Sequence, residues 1–236
     1  MEVPTVQASQ LMSLRQSTDT QWNPQIDYAP TQTEIFCSSD TAAGGGFAMA
    51  MAQKHGGDRP WLWVQDERSR KRSGVPYLYG LPESLRHDCH YVAADKVEDA
   101  LFALEEGLKC SALSFVIGEI SGDPKALGFT QSRRLAFASE NYGVPLYLIR
   151  GDAERSLSAA RMRWDIEAAM SLPCATNSKA SGSPVWNAEL FRSRLYRPSR
   201  WKLGHDDGAL TIVSSANRLD MVAISGDRPL AEAGSA

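Results

Sequence analysis

Three consecutive glycines, Gly44, Gly45 and Gly46, close a run of small residues that opens at Ser38. A glycine-rich loop between a strand and a helix is the layout that cradles a phosphate, because free backbone N–H groups and the helix N-terminus face the anion. The full chemistry also needs a Lys followed by Ser or Thr, to reach the outer phosphates and a magnesium ion. Phe47 follows the glycines instead, and the loop carries an acid, Asp40. The frame of a nucleotide site is expected, without its working residues.

The other groups able to do chemistry are carboxylates, a polar cluster and a basic run. Asp66 and Glu67 end one apolar stretch, Glu119 ends another, and Asp206 and Asp207 fall in a turn. Acids at the carboxyl end of a parallel strand stand where α/β proteins place active-site groups. A solvated strand end is the alternative reading. His87, Asp88, Cys89 and His90 offer metal-ligand atoms, but zinc sites draw on two separated pairs and no second pair follows. A polar turn is expected there. Arg192, Arg194, Arg197, Arg200 and Lys202 are interleaved with Phe191, Tyr196 and Trp201. Basic residues among aromatics can track a nucleic-acid backbone and stack on bases. A protein interface or a solvated strand face, with Arg stems covering apolar surface, are the other readings.

These groups need elements to hold them. Glu34–Cys37 reads as a strand, Ser38–Gly46 as a loop and Phe47–Gln53 as a helix rich in Ala and Met. Residues 60–65, PWLWVQ, form a nearly continuous apolar run, which suits a strand buried on both faces. The charge run Glu67–Arg72 reads as an exposed loop. Lys96–Cys110 is the clearest helix, with Val97, Leu101, Leu104 and Leu108 on one face. A strand over 113–119 follows, then a helix from a Thr130 cap to about Asn141, stopped by Gly143. Val144–Arg150 is the next strand. Strand and helix alternate throughout, which predicts a mostly parallel sheet covered on both faces.

The pattern then changes to period two. In Arg163–Met170, Trp164, Ile166, Ala168 and Met170 share one face. Trp186–Leu195, Trp201–Leu203 and Leu210–Val213 follow, with Asp207–Gly208 in a turn. An antiparallel meander on the edge of the parallel sheet is expected. Thr176–Pro184 reads as a polar loop, residues 1–33 as an arm and residues 216–236 as a disordered tail.

At 236 residues the chain suits one domain of ordinary size with appendages. The net charge of −3 excludes a protein that coats nucleic acid by overall charge, although a local basic patch remains open. Four scattered cysteines, Cys37, Cys89, Cys110 and Cys174, with no C-x-x-C, predict free thiols and a cytoplasmic setting. No secretory leader or membrane span is expected, and no cofactor or metal.

The order of parts resembles the RecA ATPase core: EIF with its loop and AMAMAQK, then WLWVQDE, LEEGLKCSALSFVIGEI and SRRLAFASENYGVPLYLIR. More closely, the chain resembles the ImuA family, on the WLWVQD strand, SRRLAFASE followed by GVP, SAARMRW at 158–164 and VWNAELFRSR. These strings span about residues 34 to 203. The resemblance implies a RecA-like domain over 34–215 with a degenerate phosphate loop. It implies a non-catalytic, SOS-induced accessory protein of translesion DNA synthesis. The partners implied are an ImuB-type polymerase-like protein, an error-prone replicative-type polymerase and RecA, with DNA contact mainly indirect. The departures from RecA are the missing Lys-Ser/Thr and Gly118, where the strand would end in a magnesium-associated Asp. Two other functions stay open. One is a cell-division inhibitor similar to SulA that binds FtsZ. The other is a divergent RecA-like ATPase dependent on Glu119 or Asp66.

Overall fold

A computed structural model describes residues 21–24, 29–57, 59–86, 88–174, 177, 180–206 and 208–216. Nine strands form one sheet: β1 (Gln32–Cys37), β2 (Trp61–Asp66), β3 (Cys89–Ala94), β4 (Val116–Glu119), β5 (Leu146–Gly151), β6 (Met162–Ala169), β7 (Val185–Ser193), β8 (Ser199–Asp206) and β9 (Ala209–Ala216). The helices are α1 (Ala43–Ala52), α2 (Glu67–Ser73), α3 (Glu83–Arg86), α4 (Val97–Lys109) and α5 (Phe129–Tyr142). The strand order is β3-β2-β4-β5-β1-β6-β7-β8-β9. The first six strands in that order run parallel, and β7, β8 and β9 add antiparallel. The expected α/β architecture, a mostly parallel sheet with a C-terminal meander, is what the chain forms.

The sheet separates two cores. On one face α1 packs through Phe47, Met49 and Met51 against Tyr147, Ile149, Trp164 and Ile166. On the other face Leu101, Leu104 and Leu108 of α4 join Leu135 and Ala138 of α5 over Val116, Leu146 and Leu148. The heptad-like spacing in α4 thus does what it predicts. So does Gly143, which ends α5 in the left-handed conformation at φ 71°.

Several elements depart from expectation. The helix after β1 begins at Ala43, so the three glycines lie in its first turns and not in a loop. At Gly44 close approach overrides the poor helix propensity of glycine. A Cβ on Gly44 would stand 2.5 Å from Cys37 Sγ and 2.9 Å from a methyl of Ile149, so only glycine lets the helix descend onto β1 and β5. Residues 67–73 are a short helix, not a loop, because Asp66 caps it by accepting the Ser69 amide at 2.7 Å. Cys89 and His90 lie in β3, an edge strand, rather than a polar turn. His90 and Ala93 are exposed and, of its six residues, Ala94 alone is buried, so the strand carries little core signal. Phe129 opens α5 after Gly128, and Thr130 does not cap it.

β6 belongs to the parallel block, paired with β1, and not to the meander. Its period-two pattern arises because α1 covers Trp164 and Ile166, while Asp165 on the other face is only half-buried and Glu167 is exposed. Ala168 is exposed and Met170 is 88% exposed beyond the strand, so the predicted inward face ends at Ile166. Residues 1–20 and 25–28 of the expected arm lie outside the described residues; among the described ones, β1 starts at Gln32, and Trp22 is buried edge-on against Trp164 and Trp201, with centroids 4.7 and 5.5 Å away. The meander runs to Ala216, one residue past the expected boundary, and the rest of the tail lies outside the described residues. Among the described residues, no helix is long and apolar enough to cross a membrane.

Candidate functional site

The carboxyl ends of β1, β2, β4 and β5 open onto a cavity of about 890 Å³. That position and size suit a small-molecule site in an open α/β sheet. The loop Ser38–Ala42 and the first turns of α1 form one wall, and Trp63 and Trp186 line it.

Two acids stand at the ends of the middle strands. Glu119, on β4, accepts hydrogen bonds from Ser73 Oγ at 2.9 Å, Trp63 Nε1 at 3.4 Å and Gln65 Nε2. Burial pushes its carboxyl above the ordinary 4.5, and these donors hold the shift back. Gln65 is oriented in turn by Tyr91, whose hydroxyl donates to Oε1 at 2.7 Å. Asp66 is 1% exposed and spends one oxygen on the α2 cap. Gly118 faces the other way: a Cβ there would meet Leu104 and Leu148, each at 2.9 Å. No side chain at 118 could reach the cavity, so Glu119 is the β4 residue that addresses it.

Cations are scarce in the cavity. Among the described lining residues Arg72 is the Lys or Arg present, and two acids share it. Arg72 reaches Asp40 at 3.1 Å and Asp152 at 2.9 Å. Asp152 also accepts the backbone amide of Ser39 at 3.0 Å and the Ser39 hydroxyl. These contacts draw its carboxyl below the ordinary 3.8, the Ser39 hydroxyl contributing most. A carboxylate of the protein therefore occupies the loop amide and the arginine that would otherwise receive an anion. His205, also in the lining, bonds Gln53 at 2.8 Å, and burial lowers its pKa.

The interleaved basic set divides into separate places. Arg200 and Lys202 stand on the face of β8 opposite Trp201, in a groove with Asp165, Glu167 and Glu189. Arg200 pairs with Glu189 at 3.3 Å. Arg197 lies in the β7–β8 connection and has its own interaction. Arg192 and Arg194 line a different groove, against α5. Arg192 lies in β7, while Arg194 follows its end. Sequence spacing placed these residues on one stretch, but the turn between β7 and β8 separates them.

Two further features had weak sequence signals. Glu34, 1% exposed, pairs with Arg163 at 2.8 Å and lies 3.9 Å from Arg150, which also bonds Asp123 at 3.0 Å. A charge inside an apolar strand was the available clue. Asp207 and His87 lie outside the described residues, and among the described residues no cluster of His, Cys, Asp and Glu could hold a metal ion. No protein-family model matches the chain, and a search of curated proteins finds no relative.

Proposed function

We propose that this chain is a non-catalytic, RecA-like accessory protein of damage-induced mutagenesis. In this reading it works by contact with an ImuB-type polymerase-like protein and an error-prone replicative-type polymerase in translesion synthesis, with RecA as a further partner. The observation that carries the non-catalytic part is Asp152. Its carboxylate takes the Ser39 amide and half of Arg72, so a polyphosphate would meet a negative charge where it needs a positive one. Glu119 points the same way, since donors from Ser73, Trp63 and Gln65 already engage it.

The cavity rim supports the contact part. Tyr77 and Tyr79 are each 72% exposed, with rings 5.7 Å apart, and Val75 and Leu78 flank them. Exposed tyrosines beside apolar residues have the composition of an interface hot spot. Purified ImuB-type partner should be retained by the immobilised chain, and Tyr77→Ala with Tyr79→Ala should weaken retention at least tenfold. Retention of FtsZ in place of that partner would overturn the reading in favour of the cell-division inhibitor. Calorimetry with ATP and magnesium should give no heat at millimolar nucleotide. Saturable heat lost in Glu119→Gln would instead establish the divergent ATPase.

A further inference from the structure

α5 presents Phe129, Arg133 and Phe137 at four-residue intervals, one above another on its outer face. Phe129 is 45% exposed and Phe137 67%, with no helix over them among the described residues. Beside this face runs a groove of about 590 Å³, whose far wall is Ser158–Arg161 and the end of β7. Its charge is one-sided: Arg133, Arg161, Arg192 and Arg194 line it against a single acid, Glu140. Arg161 engages Glu140 through two nitrogens, Nη2 at 2.9 Å. Among the described residues Arg133, Arg192 and Arg194 form no salt bridge.

The walls are fixed. Ser132 and Ser158 hydroxyls meet at 2.7 Å, and the Ala159 amide donates to Ser132 at 2.9 Å, which holds the 158–160 segment on α5. The Arg194 amide donates to the Arg161 carbonyl at 3.0 Å, which holds the two arginine backbones together.

We propose that this groove binds single-stranded nucleic acid, its phosphates on Arg133, Arg192 and Arg194 and its bases on Phe129 and Phe137. Arginines beside exposed rings are the two parts such a surface needs. The rings lie eight residues apart, about 12 Å along the helix axis, with Arg133 midway, so stacked bases and an intervening phosphate alternate. A duplex hides its base faces and would leave both rings idle. An acidic peptide would use the arginines, but gives isolated phenyl rings no flat partner. The groove is positive on a chain of net charge −3, so binding is local and not a consequence of bulk charge. The acid-flanked pair Arg200 and Lys202 takes no part.

Fluorescence anisotropy of a labelled oligothymidylate with the full chain tests this. Affinity should fall steeply as salt rises, because each phosphate contact releases counterions. Arg192→Glu with Arg194→Glu should weaken binding at least tenfold and flatten the salt slope. Phe137→Ala should weaken it about tenfold at all salts. Arg200→Glu with Lys202→Glu should leave affinity within about twofold. Phe137 and the substituted arginines at 192 and 194 are exposed, and thermal melts matching the parent chain will show that each variant folds. The inference is overturned if no oligonucleotide binds at low salt. It is also overturned if the Arg192/Arg194 or Phe137 variants bind normally, or if duplex or polyglutamate binds more tightly than the single strand. Failure to capture a polymerase-like partner would leave this result standing, so the two proposals fail separately.

Discussion

Asp152 Oδ1 accepts the Ser39 backbone amide at 3.0 Å, and Oδ2 meets Arg72 Nη1 at 2.9 Å. The residue sits at φ 51°, a left-handed conformation that Asp tolerates better than most residues. The loop before α1 is thereby tied to the loop after β5 by an internal anion. Asp152→Ala should free the Ser39 amide and Arg72 Nη1 together, leaving Arg72 paired with Asp40 alone. Inorganic phosphate should then protect the variant in thermal melts, while the parent chain shows no shift at the same concentration. A parent chain protected by phosphate would refute the blocked-site account.

The same carboxyl sets one arm of the pH dependence. Its folded pKa lies below the ordinary 3.8, so its contribution is complete above that value and is lost as pH falls through the folded value. Asp152→Asn should therefore narrow the stability difference from the parent as pH drops below about 4. Urea titrations at pH 3 and pH 6 measure this.

Glu119 has the opposite sign. Burial raises its pKa above 4.5, so the folded state binds more protons than the unfolded state between the two values. Its ionisation removes stability as pH rises through that window. Glu119→Gln should gain on the parent chain as pH increases from 4.5, read as the difference in urea midpoint. A constant difference would mean that the donors from Gln65, Ser73 and Trp63 compensate fully.

Glu34 and Arg163 form an ion pair whose two members are buried on the face of the sheet away from α1, with Ser158 Oγ donating to Glu34 at 2.6 Å. Removing one partner leaves the other charge uncompensated. Glu34→Ala should cost about 3–5 kcal/mol in urea unfolding. Glu34→Leu combined with Arg163→Met should recover part of the loss, since the apolar pair needs no compensation while Arg150 and Ser158 still lose the carboxylate.

Gly44 and Gly45 separate two explanations of the glycine run. A Cβ at 44 collides with Cys37 and Ile149, whereas at 45 its nearest neighbour is a Trp63 ring atom at 3.7 Å. Gly44→Ala should destabilise by about 1–3 kcal/mol through overpacking. Gly45→Ala should stabilise by about 0.5 kcal/mol, as alanine does in a helix. Equal losses at both positions would contradict the packing account and point to a need for backbone freedom along the whole run.

The α/β order of this chain follows from local pattern alone. PWLWVQ and VPLYLI are apolar runs too short for helices, α4 carries its leucines every three or four residues, and Gly143 stops α5 by its own stereochemistry. Each of these signals is complete within one turn or one strand. Local pattern also exposed the missing Lys-Ser/Thr after Gly46. It did not show that the glycines are helical, because the close approach of Gly44 to Cys37 and Ile149 exists only in the folded chain. Nor did it show what the acids do. Ser39 and Asp152 are 113 residues apart, and Glu34 and Arg163 are 129 apart. They meet only because β1 inserts between β5 and β6. The same folding splits Arg192 and Arg194 from Arg200 and Lys202, and brings α5 to the first pair and acids to the second. A charge on a strand has no sign of its own function until the sheet order decides which charge stands beside it.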